Sequence, residues 1–361
     1  MPESIPHVAL LIETSRSYSR GLLSGIRTYV AEHGPWSIFM ESRALDSAAP
    51  PWLKNWQGHG ILTRTGSQSV ANQIRATGLP AVELRATRLR HDFPFVGVDN
   101  STVGSLIAEH FMDRGYRHFG CYALRSESFF EQRCDNFIET LSEHGFDCAV
   151  YEARGQQERP SRWEQEQTRL SRWIEKLSKP VGLMACTDQM GFWMLDACKR
   201  SGFSIPEDVA VVGVENDESL CEMSTPPLSS LAFRSQTIGY HAARLLDDLI
   251  HGRGRAPAET LFPPGDVVTR QSSDGIALDD RRMADALRFI RTEAFGSIDV
   301  STVARAVGLS RSSLERRMRE AIGRSPKAEI QRVRFKRVTE LLIDTDLTLA
   351  DIAERVGFEH P

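Results

Sequence analysis

The sequence contains 361 residues, of which 41% are hydrophobic and 25% charged, which is ordinary for globular proteins. At roughly 150 residues per domain, two to three domains are expected. No run of about 18 apolar residues and no basic N-terminal segment before an apolar stretch occurs, which argues against a membrane span and a secretory signal. We therefore expect a soluble cytoplasmic protein without a membrane partner.

The cysteines and glycines lack the spacing of metal and nucleotide sites. None of the six cysteines forms a CxxC pair, so we expect reduced thiols and no bound metal. Neither GxGxxG after the first strand nor GxxxxGK[ST] anywhere is present. We therefore expect no nucleotide cofactor, and indeed no cofactor of any kind.

The charge is unevenly distributed along the chain. Residues 281–361 carry 16 Lys and Arg against 12 Asp and Glu, hence +4, whereas the remaining residues carry 28 against 36, hence −8. Within 301–340 the count is 11 basic to 4 acidic. An acidic body with a basic C-terminal module suggests a polyanionic partner, most simply DNA, although a solvated helix face would also account for it.

Up to about residue 251, short apolar runs alternate with helical patterns. The runs that suit buried strands include 7–13, 60–64, 93–99, 118–124, 181–187 and 209–215. This alternation predicts an α/β fold with parallel sheets and helices on both faces. Because some 270 residues is long for one sheet, two lobes are predicted, the first over about 5–98 and 234–265, the second over about 99–233.

The amino-acid composition changes near the C-terminal end of this body. A stretch rich in Gly, Pro, Ser and charged residues covers about 252–282, and only helical patterns follow it. We therefore predict a ligand-sensing body over 1–270, a linker over 271–282 and an all-helical domain over 283–361.

The segment 298–323 has the pattern of a helix-turn-helix unit. Ala304 is small and Gly308 permits a tight turn, so two helices can cross closely. Ser310 is placed to cap the second helix, and Leu314 and Met318 lie on its inner face. The basic charge of this region favours DNA binding over a purely structural helix pair.

The outward face of the second helix is polar and basic. An arginine there can bind guanine in the major groove through two hydrogen bonds, and flanking arginines can bind phosphates, as we expect for Arg311 and Arg317. The predicted DNA-binding residues are Ser310, Arg311, Ser312, Glu315, Arg316, Arg317 and Arg319.

A second unit follows a longer helix. Ser325 and Pro326 open that helix, and the Val-Ala-x-x-x-Gly pattern of the first unit recurs at 349–358. On these residues, 283–361 resembles the AraC/XylS-type DNA-binding domain, which implies a double helix-turn-helix with Ser312, Glu315 and Arg316 facing bases. The family pattern continues with a further recognition helix and a closing helix, whereas the sequence ends at Pro361, so we expect a truncated domain of doubtful competence.

The body resembles another family. The stretch 179–233 is similar to the second lobe of LacI-type regulators and periplasmic sugar-binding proteins, with support from 13–26, 95–100 and 238–246. Together with the tail, nearly the whole chain resembles the xylose-operon activators. This resemblance implies a periplasmic-binding-protein-like sensor, a sugar effector with D-xylose first, a homodimer and, if it activates transcription, RNA polymerase as a partner.

Polar residues at strand ends are the candidate ligands of the sugar, because pockets of such sheets form at the carboxyl ends of strands. Asp99, Asp188, Glu215 and Asn216 follow apolar runs. The resemblance implies that Asp99, Asp188 and Glu215 line the cleft with Arg133, together with Arg16 or Tyr18 from the first lobe and Trp193 as a stacking surface.

Each of these assignments has an alternative. Asp188 can instead cap its helix, Trp193 can belong to the core, and Arg133 can pair on the surface with Glu131 or Asp135. Glu215 stands where the family usually has aspartate.

Alternatives for the function of the whole protein are a sensor of a non-sugar molecule such as a purine and a sugar-modifying enzyme. The enzyme is disfavoured because no GxSxG motif or histidine metal spacing occurs. The sequence does not distinguish activation from repression.

Overall fold

A computed structural model of the chain describes residues 5–124, 128–153, 160–254, 256–277, 280–296, 298–344 and 347–358. Residues 278–279 of the predicted linker and 359–361, including the terminal Pro361, lie outside the described part of the chain.

The strands are short and lie within the first 268 residues. Their bounds are β1 (His7–Leu11), β2 (Ser37–Met40), β3 (Gly60–Thr63), β4 (Ala81–Glu83), β5 (Phe95–Val98), β6 (His118–Ala123), β7 (Cys148–Glu152), β8 (Val181–Ala185), β9 (Val209–Glu215), β10 (Ser229–Ala232), β11 (Glu259–Phe262) and β12 (Val267–Val268).

Helices separate most of the strands and form the whole C-terminal region. Their bounds are α1 (Ser17–His33), α2 (Gln68–Ala76), α3 (Val103–Met112), α4 (Ser128–Glu143), α5 (Pro160–Lys176), α6 (Asp188–Arg200), α7 (Glu218–Met223), α8 (Ser235–Ile250), α9 (Arg281–Glu293), α10 (Val300–Ala306), α11 (Arg311–Ile322), α12 (Pro326–Asp344) and α13 (Leu349–Val356). A short 3-10 helix covers Pro51–Asn55.

The strands form two six-stranded sheets, ordered β11-β5-β4-β3-β1-β2 and β12-β10-β9-β8-β6-β7. Neighbouring strands are parallel except β10 and β12. All five residues of β8 are buried, as expected for a parallel sheet covered by helices on both faces. The predicted fold class, an α/β body of two parallel-sheet units followed by a helical domain, is confirmed.

Two strands lie where the Gly- and Pro-rich composition predicts loop. Strand β11 pairs with β5 in the first sheet, and the two-residue β12 pairs with β10 at the edge of the second. Composition misses them because the partner strands, rather than local propensity, hold these edge segments in place. Together they carry the chain from the first sheet back to the second.

The first sheet is covered on one side by α1 and α8, which pack closely through glycine. A β-carbon on Gly25 would lie 1.9 Å from the carbonyl oxygen of Gln236, and one on Gly239 would lie 2.1 Å from that of Leu22. Any side chain at these positions would push the helices apart, so the glycines fix the distance between them.

The helical domain has its own apolar core, which includes Met283, Leu287, Leu314 and Met318. Ser310 is the N-cap of α11 and its hydroxyl accepts a hydrogen bond from the Ser313 backbone, which confirms the predicted cap. Gly308 has a φ of 64°, a left-handed conformation that favours glycine. The helix-turn-helix unit therefore forms where the sequence predicts it.

Candidate ligand cavity and DNA-binding surface

A cavity of about 180 Å³ lies between the two sheets, and most of the residues that line it lie at or just after the carboxyl ends of strands. Both polar side chains and aromatic rings line it, as in sites that bind small polar molecules. The lining residues are Arg16, Tyr18, Leu45, Arg64, Leu84, Arg85, Ala86, Phe95, Val98, Asn100, Leu124, Phe129, Phe130, Arg133, Glu215 and Phe233.

An ion pair stands at the centre of this cavity. Arg133 Nη1 lies 3.6 Å from Glu215 Oε1, and both side chains are nearly buried. Arg133 also donates to Asn100 Oδ1 at 2.8 Å and to the Cys186 carbonyl at 2.7 Å. The guanidinium carbon of Arg133 lies 5.0 Å from the ring centroid of Phe233. These contacts fix the guanidinium, so a ligand meets charged groups already in position.

The turn after β9 has an unusual backbone. Glu215 and Asn216 have φ values of 105° and 52°, which non-glycine residues rarely adopt and which often mark functional sites. Asp188 holds this turn, because its carboxylate accepts hydrogen bonds from the Asp217 backbone, at 2.6 Å, and from Ser230. Burial raises the pKa of Asp188 to about 8, against the lowering effect of these hydrogen bonds.

Arg64 enters the cavity from the end of β3. It is paired with the buried Glu13 and donates to Ser19 Oγ at 2.6 Å. Its guanidinium lies 5.3 Å from the ring centroid of Tyr18, within the range of a cation–π contact. Burial, followed by the charge of Glu215, raises the pKa of Tyr18 well above its ordinary value, so its hydroxyl is a neutral hydrogen-bonding group.

Arg85 is positioned by a buried carboxyl group. Glu83 Oε1 accepts hydrogen bonds from the backbone of Thr65, Leu84 and Arg85 at 3.0, 3.2 and 3.0 Å. Arg85 Nη1 in turn donates to the Thr65 carbonyl at 2.7 Å. Burial raises the pKa of Glu83 to about 7. The ends of β3 and β4 are thus tied together at the wall of the cavity.

The structure brings some of the predicted ligand residues together and separates others. Arg16, Tyr18, Arg133 and Glu215 line the central cavity. The remaining four do not line it. Asp99 and Asn216 line two neighbouring pockets, Asp188 is buried and bonded to the turn at the end of β9, and Trp193 lies on α6. Their roles in ligand binding stay predictions.

Two alternatives from the sequence are wrong. Arg133 does not pair on the surface with Glu131, which pairs instead with Arg88; it is buried against Glu215. Asp188 is not the cap of α6, since Thr187 is the N-cap and accepts from the Met190 backbone.

Several cavity residues were not predicted from the sequence, among them Arg64, Arg85, Asn100 and Phe233. Arg64 ends the predicted strand 60–64, and Arg85 lies two residues after the end of β4. The expectation that sites form at strand ends could therefore have found both. Phe233 directly follows the carboxyl end of β10, so the same expectation could have found it.

The predicted DNA-binding residues lie on or beside α11, and most are exposed. Ser310, Arg311, Ser312, Arg316 and Arg319 are exposed, whereas Glu315 is half-buried. On this helix Arg311 pairs with Glu315 at 3.1 Å and Arg316 with Glu320 at 2.8 Å. Such exposed pairs are weak and can exchange for DNA.

Arg317 is placed differently from its neighbours. It is half-buried and its guanidinium donates to Asp280, the N-cap residue of α9. This contact ties α11 to the start of the helical domain and does not favour the phosphate contact predicted for Arg317, which stays a prediction.

Ion pairs join the helical domain to the second lobe. Arg291 Nε lies 3.0 Å from Glu207 Oε1, with both side chains nearly buried, and Arg288 lies 3.2 Å from Asp208. Both carboxylates come directly before β9, the strand that ends at Glu215 in the cavity. One strand therefore links the cavity to the helical domain.

Within the described residues, no group of three or more His, Cys, Asp or Glu side chains is arranged to hold a metal ion. No helix in the part of the chain that the structure describes is long and apolar enough to cross a membrane.

A two-lobed α/β body with a partly open cavity between its two sheets, followed by a helix-turn-helix domain, defines a ligand-sensing DNA-binding regulator. Residues 108–273 match the periplasmic binding protein-like domain family, and residues 303–361 match a helix-turn-helix domain family. Both assignments agree with the sheets and helices described above.

The chain is similar over its whole length to xylose operon regulators. It is 28% identical to the Xylose operon regulatory protein of Escherichia coli (strain K12), covering 97% of this chain and 91% of that one. It is also 28% identical to that of Haemophilus influenzae, covering 99% and 94%. The solved structure of the xylose-binding transcription activator XylR has a TM-score of 0.82 at 27% identity, covering 100% and 93%. The resemblance predicted from the sequence is confirmed.

Proposed function

We propose that this protein is a D-xylose-responsive transcription regulator. The observation that carries the proposal is the cavity between the lobes, which is lined by the Arg133–Glu215 pair and by aromatic rings. Charged groups that are fixed in place can hydrogen-bond sugar hydroxyls, and rings such as Phe233 can cover the C–H face. Regulators of xylose operons are similar in sequence over nearly the full chain.

The size of the cavity supports a small effector. Its volume of about 180 Å³ lies below the roughly 300–1,000 Å³ typical of pockets for drug-sized ligands. A pentose therefore suits the cavity better than a purine nucleoside or a disaccharide.

The sugar acts by holding the two lobes together. Arg64 and Arg85 reach the cavity from the first sheet, while Arg133 and Glu215 belong to the second unit. A sugar bonded to both sides binds the closed arrangement more tightly than the open one and shifts the population toward it.

Closure reaches the DNA-binding domain through the second lobe. Because Glu207 and Asp208 anchor α9, rotation of this lobe carries the helix-turn-helix unit with it. In a homodimer, two such units would be brought into register with successive half-sites. The exposed Arg316 would bind a guanine. If the protein activates transcription, it would also recruit RNA polymerase. We place this transcription regulator in the cytoplasm. We assign it no catalytic role.

Calorimetric titration of the full chain with D-xylose, D-ribose, L-arabinose and D-glucose tests the effector. We expect saturable binding of D-xylose and at least roughly tenfold weaker binding of the other three sugars. Such a difference corresponds to the loss of about one hydrogen bond to a charged group. Binding of another sugar in preference would reject D-xylose and keep the sensor. No binding of any of the four sugars would reject the sugar sensor.

A further inference from the structure

A second cavity lies outside the proposed sugar site, between the α/β body and the helical domain. Its volume is about 460 Å³, and we call it the interdomain cavity. The body contributes Pro227, Gln271 and Asp274. The remaining lining residues belong to α9, α12 and α13, apart from one that lies two residues after the end of α9. Those residues are Arg291, Phe295, Arg332, Val333, Arg337, Leu341 and Arg355.

Arginine side chains dominate the polar lining of this cavity. Four arginines line it, against Asp274 as the one carboxylate among the described lining residues. Arginine is the side chain that best matches phosphate oxygens, because its planar fork donates two parallel hydrogen bonds.

Two of the arginines are held in place from behind. Arg291 pairs with Glu207 and also donates to the Asp274 carbonyl at 2.6 Å. Arg332 is paired with the buried Glu329 at 2.8 Å and with the Asp274 carboxylate at 3.1 Å. Groups that are already ordered lose less conformational freedom when a ligand binds. These arginines thus form a prepared wall rather than a set of mobile surface charges.

Apolar side chains also line the cavity. They are Phe295, Val333 and Leu341. The volume lies within the roughly 300–1,000 Å³ that is usual for small-molecule sites, which exceeds the need of a bare inorganic ion. The occupant that fits both features has a phosphate group for the arginines and a carbon skeleton for the apolar wall.

We propose that the interdomain cavity binds a small organic phosphate as a second effector, independent of the sugar. A bound phosphate ester contacts the helical domain through its arginines and the body through Gln271 and the neighbouring Pro227. It therefore ties the helix-turn-helix domain to the second lobe and joins a second metabolic signal to the response.

Thermal shift and calorimetry on the full chain test this site, with glycerol 3-phosphate as the probe, inorganic phosphate for the head group alone, and glycerol as the uncharged control. We expect glycerol 3-phosphate to raise the melting temperature saturably and glycerol to have no effect. Inorganic phosphate should bind more weakly than the ester. The shift should add to that of D-xylose.

The variant Arg337→Gln removes one charge from an exposed position of α12 and keeps a good helix former. We expect it, and Arg355→Gln separately, to weaken glycerol 3-phosphate binding by roughly tenfold or more. The matched control Arg311→Gln removes a charge from the DNA-binding surface and should bind as the wild type does.

Three results would overturn the proposal. One is the absence of any phosphate-dependent shift in the wild type. Another is an equal loss in Arg311→Gln, which would place the anion on the DNA-binding surface. The third is competition between D-xylose and glycerol 3-phosphate, which would place the ester in the sugar cavity.

Discussion

Glu215 and Glu207 lie at opposite ends of one buried strand. Glu215 ends β9 inside the ligand cavity, and Glu207, two residues before that strand, pairs with Arg291 of α9. The eight residue steps from Glu207 to Glu215 span roughly 26 Å at about 3.3 Å per residue. We therefore expect β9 to transmit a displacement at the cavity to the base of the DNA-binding domain.

Glu207→Gln should uncouple the sugar from DNA binding. The substitution removes the charge that holds Arg291, and Glu207 is absent from the sugar cavity. We expect D-xylose affinity to stay within about twofold, while the effect of xylose on DNA affinity falls by roughly fivefold or more, the usual range of allosteric coupling. Calorimetry and fluorescence anisotropy measure the two quantities. The control Glu164→Gln, at an exposed pair with Arg200, should leave both unchanged. Loss of coupling in both variants would refute the route through β9.

Glu215→Gln should weaken sugar binding. The carboxylate is an acceptor inside the cavity, and hydrogen bonds to charged groups contribute about 1.5–3 kcal/mol. We expect a loss of D-xylose affinity of roughly tenfold to a hundredfold by calorimetry. The matched control Glu218→Gln, on the exposed start of α7, should bind normally. An unchanged affinity in Glu215→Gln would remove this residue from the site.

Arg133→Met should destabilise the body even without sugar. The guanidinium is buried, and its removal leaves the Glu215 carboxylate and the Asn100 side chain without their partner. Breaking a buried ion pair typically costs about 3–5 kcal/mol. The urea midpoint should fall accordingly. As a control, Arg200→Met removes an exposed arginine paired with Glu164 and should cost less than about 1 kcal/mol. Equal effects would mean that Arg133 is not a structural centre of the cavity.

The buried Asp188 should make stability depend on pH. Its pKa is raised to about 8 in the folded protein, against about 4 for an exposed aspartate. Between these values the folded state retains a proton that the unfolded state loses. The free energy of unfolding therefore falls as the pH rises, by at most about 1.4 kcal/mol per pH unit from this group.

Asp188→Asn removes this contribution, because asparagine is neutral throughout. We expect the wild type to lose unfolding free energy relative to the variant as the pH rises from 5 to 7. Urea titration of both proteins at each pH measures this difference. Parallel profiles for the two proteins would show that Asp188 is ionised in the folded state.

Arg316→Ala should reduce specific DNA binding. The exposed guanidinium lies on α11, where an arginine can bind a guanine in the major groove. We expect a loss of about 1–3 kcal/mol on the specific site and relaxed preference at one base pair. Anisotropy on specific and random duplexes measures both. Arg282→Ala, an exposed arginine at the start of α9, is the control. An equal loss on both duplexes would assign Arg316 to the phosphate backbone.

The sequence by itself determined the order of strands and helices and the position of the helix-turn-helix unit. Buried parallel strands such as β8 need uninterrupted apolar runs, and the turn between α10 and α11 needs Gly308 followed by the cap Ser310. These are local requirements of burial and backbone conformation, so the amino-acid pattern reports them directly.

Only the tertiary structure decided which polar groups meet. Arg133 and Asp188 both follow strands of the second lobe, yet Arg133 reaches the cavity and Asp188 is buried and bonded to the turn at the end of β9. Arg64 and Arg85 enter because β3 and β4 are neighbours in the first sheet. Strand order and the crossing of the chain between the sheets set these distances, and residues so far apart in sequence leave no periodic signal of their contact.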